Sequence, residues 1–177
     1  MADRQMRIFY SYSSKDEKLR DRLESHLSML RHQGLIENWH DRRIMPGEIL
    51  DREISLHLET ADAILFLVSE DFLASEYCYC VEAKRARERH AAQEAIVIPV
   101  ILRAVDWKNE WFGRYKALPN HGKPVTSWRV REEALKDIAD GVRWITERHA
   151  ESPPFEELRA SPPANWIVAA IERASWR

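Results

Sequence analysis

Residues Ala63–Val68, AILFLV, form an unbroken apolar run of strand length. A strand with no polar position has no face to offer to water, so it needs cover on both sides. That requirement points to a parallel sheet sandwiched between helices. Two further stretches share this character. Met6–Tyr12 (MRIFYSY) reads as a buried first strand and Ala95–Leu102 (AIVIPVIL) as a fourth. Pro99 cannot donate a ladder hydrogen bond, so a bulge or a sheet edge is expected at that point.

Helical patterns separate the strands. Ser14 with Glu17 three residues later forms a capping-box signal. Leu19, Leu23, Leu27 and Leu30 follow at helical spacing, and Gly34 supplies a stop. Leu35–His40 reads as a second strand, and Asp41–Gly47 (DRRIMPG) as a loop ended by Pro46-Gly47. Glu48–Thr60 carries Leu50, Ile54 and Leu58, with Ala61 next on the same face, the mark of a helix. After Ser69-Glu70-Asp71 the spacing predicts one helix over Phe72–Arg89, with Ser75 as an N-cap within it. A loop with Trp107, Trp111 and Phe112 covers Arg103–His121. A short fifth strand is expected at Lys123–Thr126, and a last helix at Arg131–Arg148 with Leu135, Ile138, Val142 and Ile145 inward. The fold class is α/β: a flavodoxin-like, open, parallel five-stranded sheet with helices on both faces and right-handed crossovers. Residues 1–150 are expected to form one domain. The Ser-Pro-Pro triplets at 152–154 and 161–163 mark 151–177 as a Pro-rich linker and short C-terminal helix, or the start of a further module.

Charge and composition narrow the function classes. A formal net charge of −2 argues against a bulk nucleic-acid binder. No apolar run approaches the length of a membrane span, and MADRQMRIFY lacks the apolar core of a signal peptide. The two cysteines, Cys78 and Cys80, point to different sides of a helix and suit a reduced, cytoplasmic setting. Without nearby partners they make no zinc site, and no metal is expected.

In an open parallel sheet, ligands sit beyond the carboxyl ends of the strands. Those ends carry Ser11-Tyr12-Ser13, Trp39-His40-Asp41-Arg42 and Ser69-Glu70-Asp71. There is neither GxGxxG nor GxxxxGK[ST], and the chain has five glycines, so any nucleotide is held without a glycine-rich cradle. Glu82 shares a helix face with Cys78, Tyr79, Arg85 and Ala86. It is either a partly buried carboxylate facing a cleft or half of a wet pair with Arg85. Asp41, Arg42 and Arg43 suit a phosphate or an acidic partner, or a solvated loop. Ser11 and Ser13 can donate to a ligand or cap the next helix. Trp39 can stack on a base or pack beside the sheet.

Several of these stretches resemble, in order and spacing, a Toll/interleukin-1 receptor (TIR) domain of the bacterial kind. Ile8-Phe9-Tyr10-Ser11-Tyr12-Ser13 with Asp16 resembles the family's first box. Trp39, Asp41 and Ile44-Met45-Pro46-Gly47 resemble its second. Ala63–Ser69 with Phe72, Ser75, Tyr77, Cys78 and Glu82 resembles the third-strand and third-helix signature, and Ile98-Pro99-Val100 the fourth strand. The likeness covers about residues 6–149. It departs from the family where Tyr77-Cys78 replaces Trp-Cys and where Glu82 follows the cysteine by four residues rather than three.

The resemblance implies an NAD+ glycohydrolase that cleaves the nicotinamide–ribose bond, with NAD+ as substrate and no cofactor. Glu82 would be its catalytic residue. Phe9, Ser11, Ser13, Trp39, Asp41, Arg42, Ile44, Tyr77 and Cys78 would line the substrate site. It also implies a homo-oligomer joined through the Asp41–Gly47 loop and a role in anti-phage defence. The alternative within the family is a non-enzymatic TIR–TIR signalling scaffold.

Overall fold

The computed structural model describes residues 5–39, 50–75 and 80–151. Its centre is a parallel sheet of β1 (Met6–Ser11), β2 (Ile36–Trp39), β3 (Ala63–Val68) and β4 (Ile96–Ile101), in the order β2-β1-β3-β4. β3, the unbroken apolar run, lies between two neighbours and is buried at every position. The chain steps outward from β1 to β2, then returns to the other side of β1 for β3. That reversal places the crevice of an open α/β sheet at the carboxyl ends of β1 and β3.

Side-chain alternation divides the core into two layers. Met6, Ile8 and Tyr10, with Ala63, Leu65 and Leu67, face one side. There they meet Leu19 and Leu23 of α1 (Glu17–His26), Leu27, Leu30 of α2 (Ser28–His32), and Leu135, Ile138 and Val142 of α6 (Arg131–Glu151). Phe9, Ile64, Phe66 and Val68 face the other side. They meet Ile54 and Leu58 of α3 (Leu50–Thr60), Phe72 of α4 (Glu70–Ala74), and Ala83 and Ala86 of α5 (Ala83–Ala91). Each fully buried leucine contributes about 1.5–3 kcal/mol relative to exposure, so the heptad-like leucines settle where α1 and α2 pack. Ile145 packs against the first layer, as its spacing predicts.

Three expectations change, and the alternatives at Pro99 resolve. The described residues contain four strands, not five. Val125–Ser127 is a 3-10 turn, and the place beside β4 is taken by a single bridge from Leu118 to Val100. Pro119 and Pro124 flank this region, and without N–H groups they cannot propagate a ladder. At Pro99, where a bulge or a sheet edge is expected, the edge is what the described sheet has: β4 is its outer strand, and β3 and β4 pair one-to-one from Ala63↔Ile96 to Val68↔Ile101. The Pro99 carbonyl accepts from Leu118 N at 2.9 Å, so its nitrogen faces the outer edge and β3 loses no bond. The capping residue ahead of α1 is Ser13 rather than Ser14. Ser13 Oγ accepts from Lys15 N, a 3-10 turn (Ser14–Asp16) intervenes, and Asp16 turns inward. Finally, Phe72–Arg89 is not one helix: Ser69 caps the short α4, Ser75 ends it, and α5 begins only at Ala83.

The last helix runs to Glu151, three residues past its expected end. The expected Asp41–Gly47 loop and the linker and short helix after residue 151 lie outside the described residues. No described helix is long and apolar enough to cross a membrane.

Candidate functional site

At the carboxyl end of β1 the alternation that turns Phe9 into the α3/α5 layer turns Ser11 the same way. Ser11 is fully buried. From the opposite wall comes Glu82, on a π-helical turn over residues 80–82 that leads into α5. Such wide turns are frequent at functional sites because they re-aim a side chain within a helix. Ser11 Oγ donates a short hydrogen bond to Glu82 Oε2. Glu82 is 6% exposed. Cys80 and Val81, on the same turn, are exposed, so the carboxylate lies just beneath the surface.

The wet pairing of Glu82 with Arg85 does not form. Arg85 Nη2 donates to Glu59 Oε2 at 2.6 Å, Nε donates to Glu59 Oε1, and Nη1 donates to Glu88 at 3.0 Å. This fork ties α5 to α3 and holds the Glu59 carboxyl below its usual range through the hydrogen bonds from Arg85. Arg89, one turn on, is buried and donates to the carbonyls of Leu58 and Ala61 at 2.6 and 2.9 Å, capping the carboxyl end of α3 with a cation. Both arginines therefore hold the helix that presents Glu82, and neither neutralises it.

The other expected site residues divide. Phe9 is buried in the α3/α5 layer, and Ser13 uses its hydroxyl as a cap. Trp39 pairs in register with Phe9 at the end of β2 and is described in its backbone alone. Asp41, Arg42, Ile44, Tyr77 and Cys78 lie outside the described residues.

A second polar cluster joins three strand ends. Asp16, 1% exposed, accepts a short hydrogen bond from Ser69 Oγ after β3 and one at 2.7 Å from Arg103 Nε after β4. Ser69 Oγ also accepts from Phe72 N at 3.1 Å, so one hydroxyl caps α4 and anchors Asp16. Its hydrogen bond to Asp16 raises the Arg103 guanidinium above its ordinary value. Sequence reasoning passed over Arg103 entirely. The signal available was its position, a polar residue directly beyond the apolar run of β4.

Comparison with known proteins places these features in a family. A family model described as TIR domain matches residues 8–139. The uncharacterized protein y4lF of Sinorhizobium fredii (strain NBRC 101917 / NGR234) is 52% identical over 160 residues, which is 89% of this chain and 50% of that protein. The chain thus spans about half the length of the curated relative it matches. Among solved structures, the TIR domain of the Toll-related receptor TRR-2 from Hydra magnipapillata superposes with a TM-score of 0.54 at 16% identity. That match covers 77% of this chain and 97% of the receptor domain, a likeness of fold.

Proposed function

The chain belongs to the TIR-domain family, bacterial in type, and from that premise we propose that it is an NAD+ hydrolase cleaving the nicotinamide–ribose bond. The observation that carries this reading is the Glu82 carboxylate, buried just under an exposed turn and held by buried Ser11 at the switch point of the sheet. A glutamate serving only a surface or scaffold role has no reason to leave Arg85 and enter the interior, where desolvating a carboxylate is costly.

The chemistry follows from the substrate. Nicotinamide in NAD+ is already cationic and leaves without a general acid. As the C–N bond breaks, positive charge develops on the ribose, and a fixed carboxylate opposite it lowers the barrier. Ser11 sets the direction of that carboxylate, so little reorganisation is needed as the charge appears. Water then captures the ribosyl cation to give ADP-ribose and a proton; capture by the adenine ring gives a cyclic product. NAD+ is a substrate, and no metal or further cofactor takes part.

In this reading Trp39, Asp41, Arg42, Ile44, Tyr77 and Cys78 complete the pocket. The Asp41–Gly47 loop of one protomer closes over the site of the next, so activity depends on self-assembly. Residues 1–150 form the TIR unit, and 151–177 link it to a further module. The setting is cytoplasmic, and NAD depletion serves anti-phage defence.

The test is NAD+ loss by concentrated purified protein, followed beside Glu82→Ala and Ser11→Ala. Glu82→Ala abolishes the loss. Ser11→Ala removes a hydrogen bond to a charged group, about 1.5–3 kcal/mol, and slows the loss about 10- to 100-fold. Loss that persists in Glu82→Ala moves the chemistry elsewhere, and no loss from the wild type under any assembly condition leaves the scaffold reading.

A further inference from the structure

On the face of the sheet opposite Glu82, a cleft of about 290 Å³ opens between α1, the segment after β4 and the start of α6. Its lining is Lys18, Leu19, Arg22, Arg103, Thr126 and Arg131. Four cations meet there, and no carboxylate lines the cleft. Two of the cations are engaged from behind: Arg22 with Glu132, and Arg103 with Asp16. Lys18 and Arg131 are exposed and make no ion pair or hydrogen bond through their side chains among the described residues. The cleft thus gathers four cationic side chains in a chain whose formal net charge is −2, with Asp16, Glu70 and Asp71 acting on Arg103 from behind.

A fold does not gather like charges around a concavity for stability, because they repel. The arrangement suits an anion that bridges them. Arg103 is held in place by the buried Asp16 carboxylate, so its remaining N–H groups are aimed at low entropic cost. Thr126 adds a hydroxyl donor, and its backbone N is spent on Leu102 O at 3.1 Å, which fixes its position. The amino end of the 21-residue α6, with Glu132 and Glu133 in its first turn, begins at the same spot. The cleft is at the small end of ligand sites, about 300–1,000 Å³. That is the size of a phosphoryl chain rather than a whole dinucleotide.

We propose that this cleft is a binding site for the oligophosphate group of a small phosphorylated ligand, separate from the Glu82 site. The two sites lie on opposite faces of one sheet, and the ligand reaches Lys18 and Arg131 first. Through Arg103 and Asp16 it also touches the hydrogen-bonded knot on Ser69 that begins α4, the element leading toward Glu82. The binding itself does not depend on the NAD-cleavage reading.

The experiment uses the full chain and inorganic triphosphate as probe, by calorimetric titration at low ionic strength. The expected result is one saturable site, weakened by added salt. Lys18→Gln and Arg131→Gln each weaken it about tenfold or more, and the double variant abolishes it. Both side chains are exposed, so melting temperatures stay unchanged and Arg131→Lys retains partial binding. Glu82→Ala binds triphosphate as the wild type does, which separates this site from the one above. The proposal is overturned by absent binding, by binding that survives the double variant, or by loss in Glu82→Ala. It is also overturned if short DNA oligonucleotides bind with affinity that grows with each added nucleotide, which marks an extended polyanion surface instead.

Discussion

Glu82 and Arg85 are three residues apart, and helical spacing alone makes them natural partners. The molecule separates them because each finds a better one. Arg85 has a planar fork, and Glu59 offers both carboxylate oxygens to it, a geometry that a single-turn pair cannot match. Glu82 turns inward and accepts from Ser11. Another side chain with a legible environment is His90. Its ring packs tilted against Tyr115 at 4.6 Å between centroids, and Nδ1 accepts from Val97 N at 3.3 Å. Burial pushes its pKa below the ordinary value of 6.5. The folded state therefore prefers neutral His90, whereas the unfolded chain protonates it near 6.5. Its share of stability is complete above that pH and is lost as pH falls toward the folded value. His90→Gln keeps an acceptor and removes the titration. Thermal melts from pH 8 to pH 5 are expected to show a steeper acid decline for the wild type than for H90Q; parallel curves would exclude this role.

Among the elements, α4 shows how a short helix can exist at all. Five residues cannot sustain an isolated helix. Ser69 caps it, Phe72 drops into the α3/α5 layer, and Asp16 holds the capping hydroxyl from the other side. Ser69→Ala removes the cap, about 1 kcal/mol, and leaves a buried Asp16 oxygen without its donor, about 1–3 kcal/mol. The sum, about 2–4 kcal/mol, should appear as a lower urea midpoint with an unchanged slope. A loss under 1 kcal/mol would mean that Arg103 alone satisfies Asp16. β4 gives the complementary case. Its proline is tolerated because the carbonyl and nitrogen of Pro99 both face the edge, where Leu118 needs an acceptor and no donor is missed.

For the molecule as a whole, one sheet carries two layers, and its carboxyl edge carries the Ser11–Glu82 pair on one side and the basic cleft on the other. Glu82 lies on the α3/α5 face and the basic cleft on the α1/α6 face. Under the proposed reading the Glu82 pocket is completed by a second protomer, and the rate law follows from that. NAD+ loss per protomer should rise with protein concentration and level off once the assembly is saturated. A flat specific activity over a hundredfold range of concentration would show that each protomer works alone.

Sequence by itself determined the layers. An apolar run such as Ala63–Val68 has one physical solution, burial on both faces, and the period of the leucines of α1 and α2 states which face of each helix turns inward. It also brought Ser11 and Glu82 forward as candidates, since strand ends and helix faces are local properties. Only the tertiary structure decided which partners those side chains take. The Ser11–Glu82 bond spans 71 positions, Ser69–Asp16 spans 53 and Arg103–Asp16 spans 87. No periodicity reaches across such distances, because each bond depends on two strand ends meeting in space. The missing fifth strand and the divided third helix have the same origin. Local propensity allowed either outcome at Lys123–Thr126 and Phe72–Arg89. Prolines beside β4 decide the first, and in the second Ser69 starts a short α4 that the extended backbone of Ser75 ends.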